Sequence, residues 1–169
     1  LLYSHMTLKI LRSALVLITL WTLGCSAQTE KPRTMVYDLE HVLQAKESFQ
    51  LDSLYHAHEL RTGNEIVLVT TPSFHGMKPV EFAVAFGDSI GAGKKGRNNG
   101  VVIAFSKADR KVFIATGRGT EKVLQDSICQ RIVDRSMVPR FKADDTFGGL
   151  WAGSLAVVEF LDRPENAVP

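Results

Sequence analysis

Residues 65–71 read Glu-Ile-Val-Leu-Val-Thr-Thr, a β-branched, apolar run with no polar face to turn toward water. Such a run needs cover on both sides, which predicts a strand inside a sheet with helices above and below. Pro72 ends it, because proline gives no N–H to a strand ladder. The period changes on either side. Over 45–62, Leu51, Leu54, Tyr55 and His58 share one stripe while Lys46, Glu47, Asp52 and Glu59 lie off it. That predicts a helix, stopped by Gly63-Asn64. Residues 80–90 predict a second helix with Val80, Ala83, Val84 and Gly87 on its inner face. Two more strands are expected at 100–105 and 111–116, joined by a turn over 106–110.

Connection lengths then set the directions. A helix links the first two strands, so they run parallel with a right-handed crossover; a short turn makes the third antiparallel. Residues 36–43 fit either period and are read as a short extended piece. After Glu121 the pattern is helical. One helix holds Ile128, Cys129, Ile132 and Val133, capped by Asp126 or Ser127. A short amphipathic piece follows around Met137, Val138, Pro139 and Phe141. A last helix capped by Asp144 or Asp145 carries Leu150, Trp151, Ser154, Leu155 and Val158. The expected fold is a single α/β domain, a three-layer α/β/α sandwich around a small mixed sheet.

The N-terminus departs from this pattern. Lys9 and Arg12 precede an acid-free apolar run at 13–23, too short to span a bilayer and placed like the core of a signal peptide. Leu23-Gly24-Cys25 follows, which resembles a lipobox whose cysteine is acylated; Cys25-Ser26-Ala27 also fits an ordinary secretory cleavage site. The expected organisation is a leader at 1–28, a tether at 29–35, the domain at 36–163 and a tail at 164–169. Localisation follows as the bacterial cell envelope, periplasmic side, lipid-anchored at Cys25, with secretion as the alternative.

Charge changes once the leader is set apart. The chain has 20 basic and 18 acidic residues; without Lys9 and Arg12 the remainder balances. A neutral domain argues against nucleic acid as a partner. With Cys25 acylated, Cys129 has no intrachain partner and is expected in the core.

Gly91-Ala92-Gly93-Lys94-Lys95-Gly96 satisfies G-x-G-x-x-G. A dinucleotide site needs a strand before that loop and a helix after it, and here the order is reversed, so no nucleotide cofactor is expected. Topology sorts the other polar residues between two edges. The turn Lys107-Ala108-Asp109-Arg110 falls at the upper edge, where the parallel strands end, with a surface ion pair expected between Asp109 and Arg110. At the lower edge gather Asn98, Asn99, Gly117, Gly119, Glu121 and the basic loop. The site is expected there, with Lys95, Arg97, Asn98, Asn99, Gly117 and Gly119 binding an anionic ligand. Glu121, Asn98, Asn99, Asp88 and Asp126 are the candidate ligands for calcium or magnesium. His56 and His58 point in different directions on a helix and are read as structural or solvent-facing. No nucleophile elbow, catalytic Cys–His pairing, H-E-x-x-H or C-x-x-C is present.

Three segments, TGNEIVLVTTPS, GKKGRNNGVVIAFSKADRKVFIATGRGTE and CQRIVDRSMVPRFKADDTFGGLWAG, together resemble the TPM domain family. The resemblance implies an α/β/α sandwich, divalent-metal binding in some members and phosphatase activity in at least one. This chain departs from the pattern at three places. Asn98 stands where members read aspartate, Ala108 replaces the first acid of D-D-R, and Arg118 replaces an aromatic residue. Loss of two carboxylates weakens a hard-cation site, which depends on anionic oxygens. The expected role is therefore a binding or membrane-protein maintenance module at the envelope, with a membrane-protein partner. A weak metal-dependent acid phosphatase and a purely structural interaction domain are the alternatives.

Overall fold

The apolar run forms the second strand of a four-stranded sheet in the computed structural model, which describes residues 33–168. The predicted leader, Cys25 and most of the predicted tether lie outside those residues. The strands β1 (Val36–Asp38), β2 (Glu65–Thr70), β3 (Gly100–Ser106) and β4 (Lys111–Thr116) lie side by side in chain order. β1 and β2 are parallel with Val36 opposite Leu68, and β2 and β3 are parallel with Leu68 opposite Ile103. β3 and β4 are antiparallel, with Ile103 opposite Ile114. The ambiguous piece at 36–43 thus supplies a strand of three residues, too short to show a period.

Helix α1 (Ala45–Thr62) returns the chain from β1 to β2. Its N-terminus is closed by reciprocal bonds between Gln44 and Glu47, and its C-terminus by Gly63 at φ 75°. Helix α2 (Pro79–Ile90) links β2 to β3, starting on a proline that needs no helical partner for its missing N–H. The inner face of α2 differs from the expected stripe. Ala83 and Gly87 are buried, but Val80 and Val84 are exposed; Phe82 and Phe86 pack inward instead, Phe82 edge-on to Phe74 and Phe86 edge-on to Tyr37. This helix is apolar nearly all round, so its period offers two stripes. The sheet opposite presents the small residues Ala104 and Ala115, and the space they leave is filled by rings.

The opposite face of the sheet carries the larger core. There α1, α3 (Asp126–Ile132), α4 (Val138–Lys142) and α5 (Thr146–Leu161) bury Leu51, Tyr55, Ile66, Leu68, Ile103 and Leu150. Between α3 and α4 the chain widens into a π-helical turn, Val133–Met137, where Val138 N–H reaches back to the carbonyl of Val133. Proline at 139 cannot supply the next N–H, and the widened turn accommodates it. Asp145 caps α5 by accepting from the Gly148 amide at 2.9 Å.

A buried polar group ties the two long helices together. His58 is wholly buried on α1, and its Nδ1 lies 2.8 Å from Asp162 Oδ1 just past α5. Arg61 donates to the other oxygen of Asp162 at 2.7 Å. Burial lowers the pKa of His58 against the opposing pull of Asp162. Burial also pushes the Asp162 carboxyl up, but bonds from Arg61 and His58 outweigh it and its pKa falls. The histidine is therefore structural. Cys129 is buried and free, and burial pushes its thiol up to about 12. Among the described residues no helix is long and apolar enough to cross a membrane.

Candidate functional site

The sheet gives the molecule two polar edges, and the lower one is closed on itself. Asn99 is wholly buried there. Its Oδ1 accepts from the Lys94 amide at 2.8 Å, while its Nδ2 donates to the Gly63 carbonyl at 2.8 Å and to Asn64 Oδ1 at 3.0 Å. Both donors are committed, so this amide holds three segments together and is not free for a ligand. Gly93 N donates to Glu65 Oε2 at 2.7 Å, and Lys94 pairs with Glu59 and, at 2.8 Å, with Glu65. Those hydrogen-bonded carboxylates raise the pKa of Lys94. The G-x-G-x-x-G segment is thus a loop tied to β2 and α1 through Gly93 and Lys94, with Lys95 left exposed.

The two glycines after β4 follow the same logic. A Cβ on Gly117 would lie 2.3 Å from the Asn98 carbonyl oxygen, and one on Gly119 would lie 2.1 Å from that of Arg97. Glycine is needed because two loops touch backbone to backbone. Their amides are occupied as well: Gly117 N donates to Gly100 O at 2.8 Å, and Gly119 N to Asn98 O at 3.0 Å. Neither N–H is left for an anion. Arg97 Nη2 donates to the Val168 carbonyl at 3.1 Å, fastening the C-terminal tail. Lys95, Asn98 and Glu121 are exposed at this edge.

The carboxylates expected around a cation are not brought together. Asp88 lies on α2 and Asp126 on α3, on opposite faces of the sheet. Among the described residues no group of three or more His, Cys, Asp or Glu side chains is arranged to hold a metal ion. The expected calcium or magnesium ligands therefore do not fit such an ion as a set.

The upper edge is built differently. Asp38, Glu40 and Asp109 all accept backbone amides: Asp38 from Val42 and Leu43, Glu40 from Lys107 and Ala108, and Asp109 from Phe74. The expected ion pair between Asp109 and Arg110 is not what forms. Asp109 turns to the Phe74 amide at 2.8 Å, and the Arg110 side chain is left on the other side of the turn, toward α4. Its backbone adopts φ 53°, the left-handed conformation that closes this tight turn.

Beside that turn lies a cleft of about 600 Å³. Phe105 and Val112 of the sheet and Val138 and Phe141 of α4 form its apolar side, with the Phe105 and Phe141 rings 4.8 Å apart. Lys107, Arg110, Lys111 and Lys142 surround them. The only acid in the lining is Asp144, 3.1 Å from Lys107. Four cations against one carboxylate, in a concave apolar setting, favour an anion carrying an apolar part. Sequence reasoning placed Lys107 and Arg110 on a surface turn but could not join them to Lys142, which only the packing of α4 against β3 and β4 brings near. A cluster of basic residues at 107–111 and another at 140–142 was the available signal.

A four-stranded mixed sheet with α2 on one face and the remaining helices on the other, spanning almost the whole described region, defines a class of domain found in bacterial proteins of known structure. The chain belongs to the TPM domain family, whose model matches residues 36–160. Among solved structures, the N-terminal domain of a protein from P. gingivalis is 27% identical with a TM-score of 0.69, over 76% of this chain and 82% of that one. The N-terminal domain of cg2496 from Corynebacterium glutamicum shares the fold at 16% identity and TM-score 0.61, over 79% of this chain and 84% of that one. BA42 from Bizionia argentinensis does so at 18% and 0.63, over 76% of this chain and 95% of that one. No curated protein matches the chain.

Proposed function

We propose that the chain is an envelope-tethered binding module that takes an anionic group with an apolar portion into the upper cleft and serves the upkeep of membrane proteins. The observation that carries the binding reading is the ring of Lys107, Arg110, Lys111 and Lys142 around an apolar wall. The envelope address rests on the leader pattern and on Leu23-Gly24-Cys25. A metal-dependent phosphatase is the lesser reading. It needs free carboxylates beside the bound phosphate, and Asp38, Glu40 and Asp109 each already hold backbone amides.

Titration of the full chain with phenyl phosphate, followed by amide NMR, tests the reading. Shifts are expected at residues 105–112 and 138–146. The double variant Arg110→Gln/Lys142→Gln weakens binding about tenfold, since two partly exposed ion pairs together contribute about 1–2 kcal/mol. Lys95→Gln has no effect. Shifts centred on Lys95 and Glu121 instead would return the site to the lower edge. Calcium and magnesium arms of the same titration check for a cation effect on either edge.

A further inference from the structure

The four cations of the upper cleft are not equivalent. Arg110, Lys111 and Lys142 have no ion pair among the described residues, whereas Lys107 Nζ lies 3.1 Å from Asp144 Oδ1. That pair joins the two walls. Lys107 belongs to the β3–β4 turn and Asp144 to the turn between α4 and α5, so the one carboxylate of the lining reaches across to the sheet side.

Neither turn depends on the pair for its shape. Glu40 accepts the Lys107 and Ala108 amides at 2.9 and 3.0 Å, and Ser106 Oγ accepts that of Asp109 at 3.0 Å. Across the cleft, Asp144 N donates to the Phe141 carbonyl at 3.1 Å and Asp145 N to that of Arg140 at 2.9 Å. The two successive aspartates then divide their work. Asp145 is committed to the Gly148 amide and, at 3.2 Å, to Arg140. Asp144 sits at φ 58° with its side chain 85% exposed, and Lys107 is its one side-chain partner among the described residues. An ion pair between such exposed groups is weak and readily exchanged.

We infer that Asp144 is the resident counter-anion of the cleft, occupying Lys107 until the anionic group of a ligand takes its place. A ligand reaches Lys107 only by displacing that pair and by accepting a negative charge close by, so charge alone gains little there. A ligand whose apolar part also covers Phe105 and Phe141 is favoured over a simple anion. Asp144 thus limits affinity and sets specificity without touching the ligand. The assignment rests on the anion-binding reading of the cleft and adds to it the residue that opposes binding.

The test uses the full chain and phenyl phosphate. Asparagine keeps the side-chain shape and suits a left-handed backbone, so Asp144→Asn is expected to fold as the native chain does, with amide shifts at 146–161 unchanged. It is expected to tighten phenyl phosphate about fourfold. Lys107→Gln leaves Asp144 nothing to occupy, and in that background the same change is expected to gain less than about twofold. Benzyl alcohol, a ring without a charge, is expected to bind the native and Asp144→Asn chains equally. As phenyl phosphate is added to the native chain, the Asp144 carboxyl carbon resonance is expected to move toward its position in Lys107→Gln. A gain below about 1.5-fold for Asp144→Asn, or a carboxyl resonance that stays put while the amides at 105–112 shift, overturns the exchange and leaves anion binding in place. An equal gain in both backgrounds overturns it as well, since a charge acting through space alone does not need Lys107. Absence of shifts at 105–112 and 138–146 in both the native and Asp144→Asn chains overturns the anion reading, and this inference with it.

Discussion

Asn99→Ala separates an architectural role for the lower edge from a ligand-binding one. The substitution removes three hydrogen bonds, to Lys94 N, Gly63 O and Asn64 Oδ1. Lys94 is exposed and its amide regains water, at a net loss of about 1 kcal/mol. Asn64 is 2% exposed, so its oxygen stays buried without its partner, which costs about 1–3 kcal/mol more. The expected loss is about 3 kcal/mol, or roughly 10 °C in Tm for a domain of this size. Neighbouring Asn98 gives the control. It is exposed at φ 50°, and its side chain has no partner among the described residues. Asn98→Ala meets only the left-handed backbone cost of about 1 kcal/mol, and Asn98→Gly is neutral or better. Urea unfolding at constant m-value reads both differences. Phenyl phosphate affinity should be the same in all three variants. A loss below about 1 kcal/mol for Asn99→Ala, or a larger loss for Asn98→Ala, would refute the division of roles.

The remaining predictions test other joints of the fold. Gly119→Ala drives a methyl group into the Arg97 carbonyl and destabilises by about 2–3 kcal/mol, visible as a lower urea midpoint. His58 has a lowered pKa in the folded protein, so below about 6.5 the unfolded chain binds a proton that the folded one refuses. Stability is therefore full above that pH and falls as the pH drops from there toward the lowered folded-state value. A His58→Gln variant with the same slope over that window would count against the assignment. The thiol of Cys129, at about 12 and buried, reacts with iodoacetamide at pH 8 at least about a hundredfold more slowly in the native chain than in urea. Mass mapping of its peptide measures the ratio.

The strands were legible because each signals independently: an apolar run, a proline stop, a glycine-bounded turn. β2, β3 and β4 fall within a residue of their expected bounds, and the directions follow from connection length alone. The inner face of α2 was not legible, since Val80/Val84 and Phe82/Phe86 are equally apolar and the choice depends on which sheet residues lie opposite. Asn98 and Asn99 are chemically identical neighbours, and nothing local says which one turns inward to bind Asn64. Asp109 was assigned to the nearest cation in sequence, whereas its partner is the amide of Phe74, 35 residues away. The cleft failed to appear for the same reason. Its cations come from the β3–β4 turn, the first residue of β4 and the last residue of α4, and their meeting is a property of packing, not of spacing.

The fastening of Val168 by Arg97 sets a direction for the domain over residues 34–168. β1 runs toward the upper edge, so the chain reaches it from below, and the tail ends beside the glycine loop at the lower edge. Residues 33 and 168 thus lie at one pole and the cationic cleft opens at the other, separated by the six-residue height of β4, about 20 Å. A domain held by either end displays the cleft outward, away from whatever holds it. A bead attached at either end of residues 33–168 is therefore expected to sit at the pole opposite the cleft.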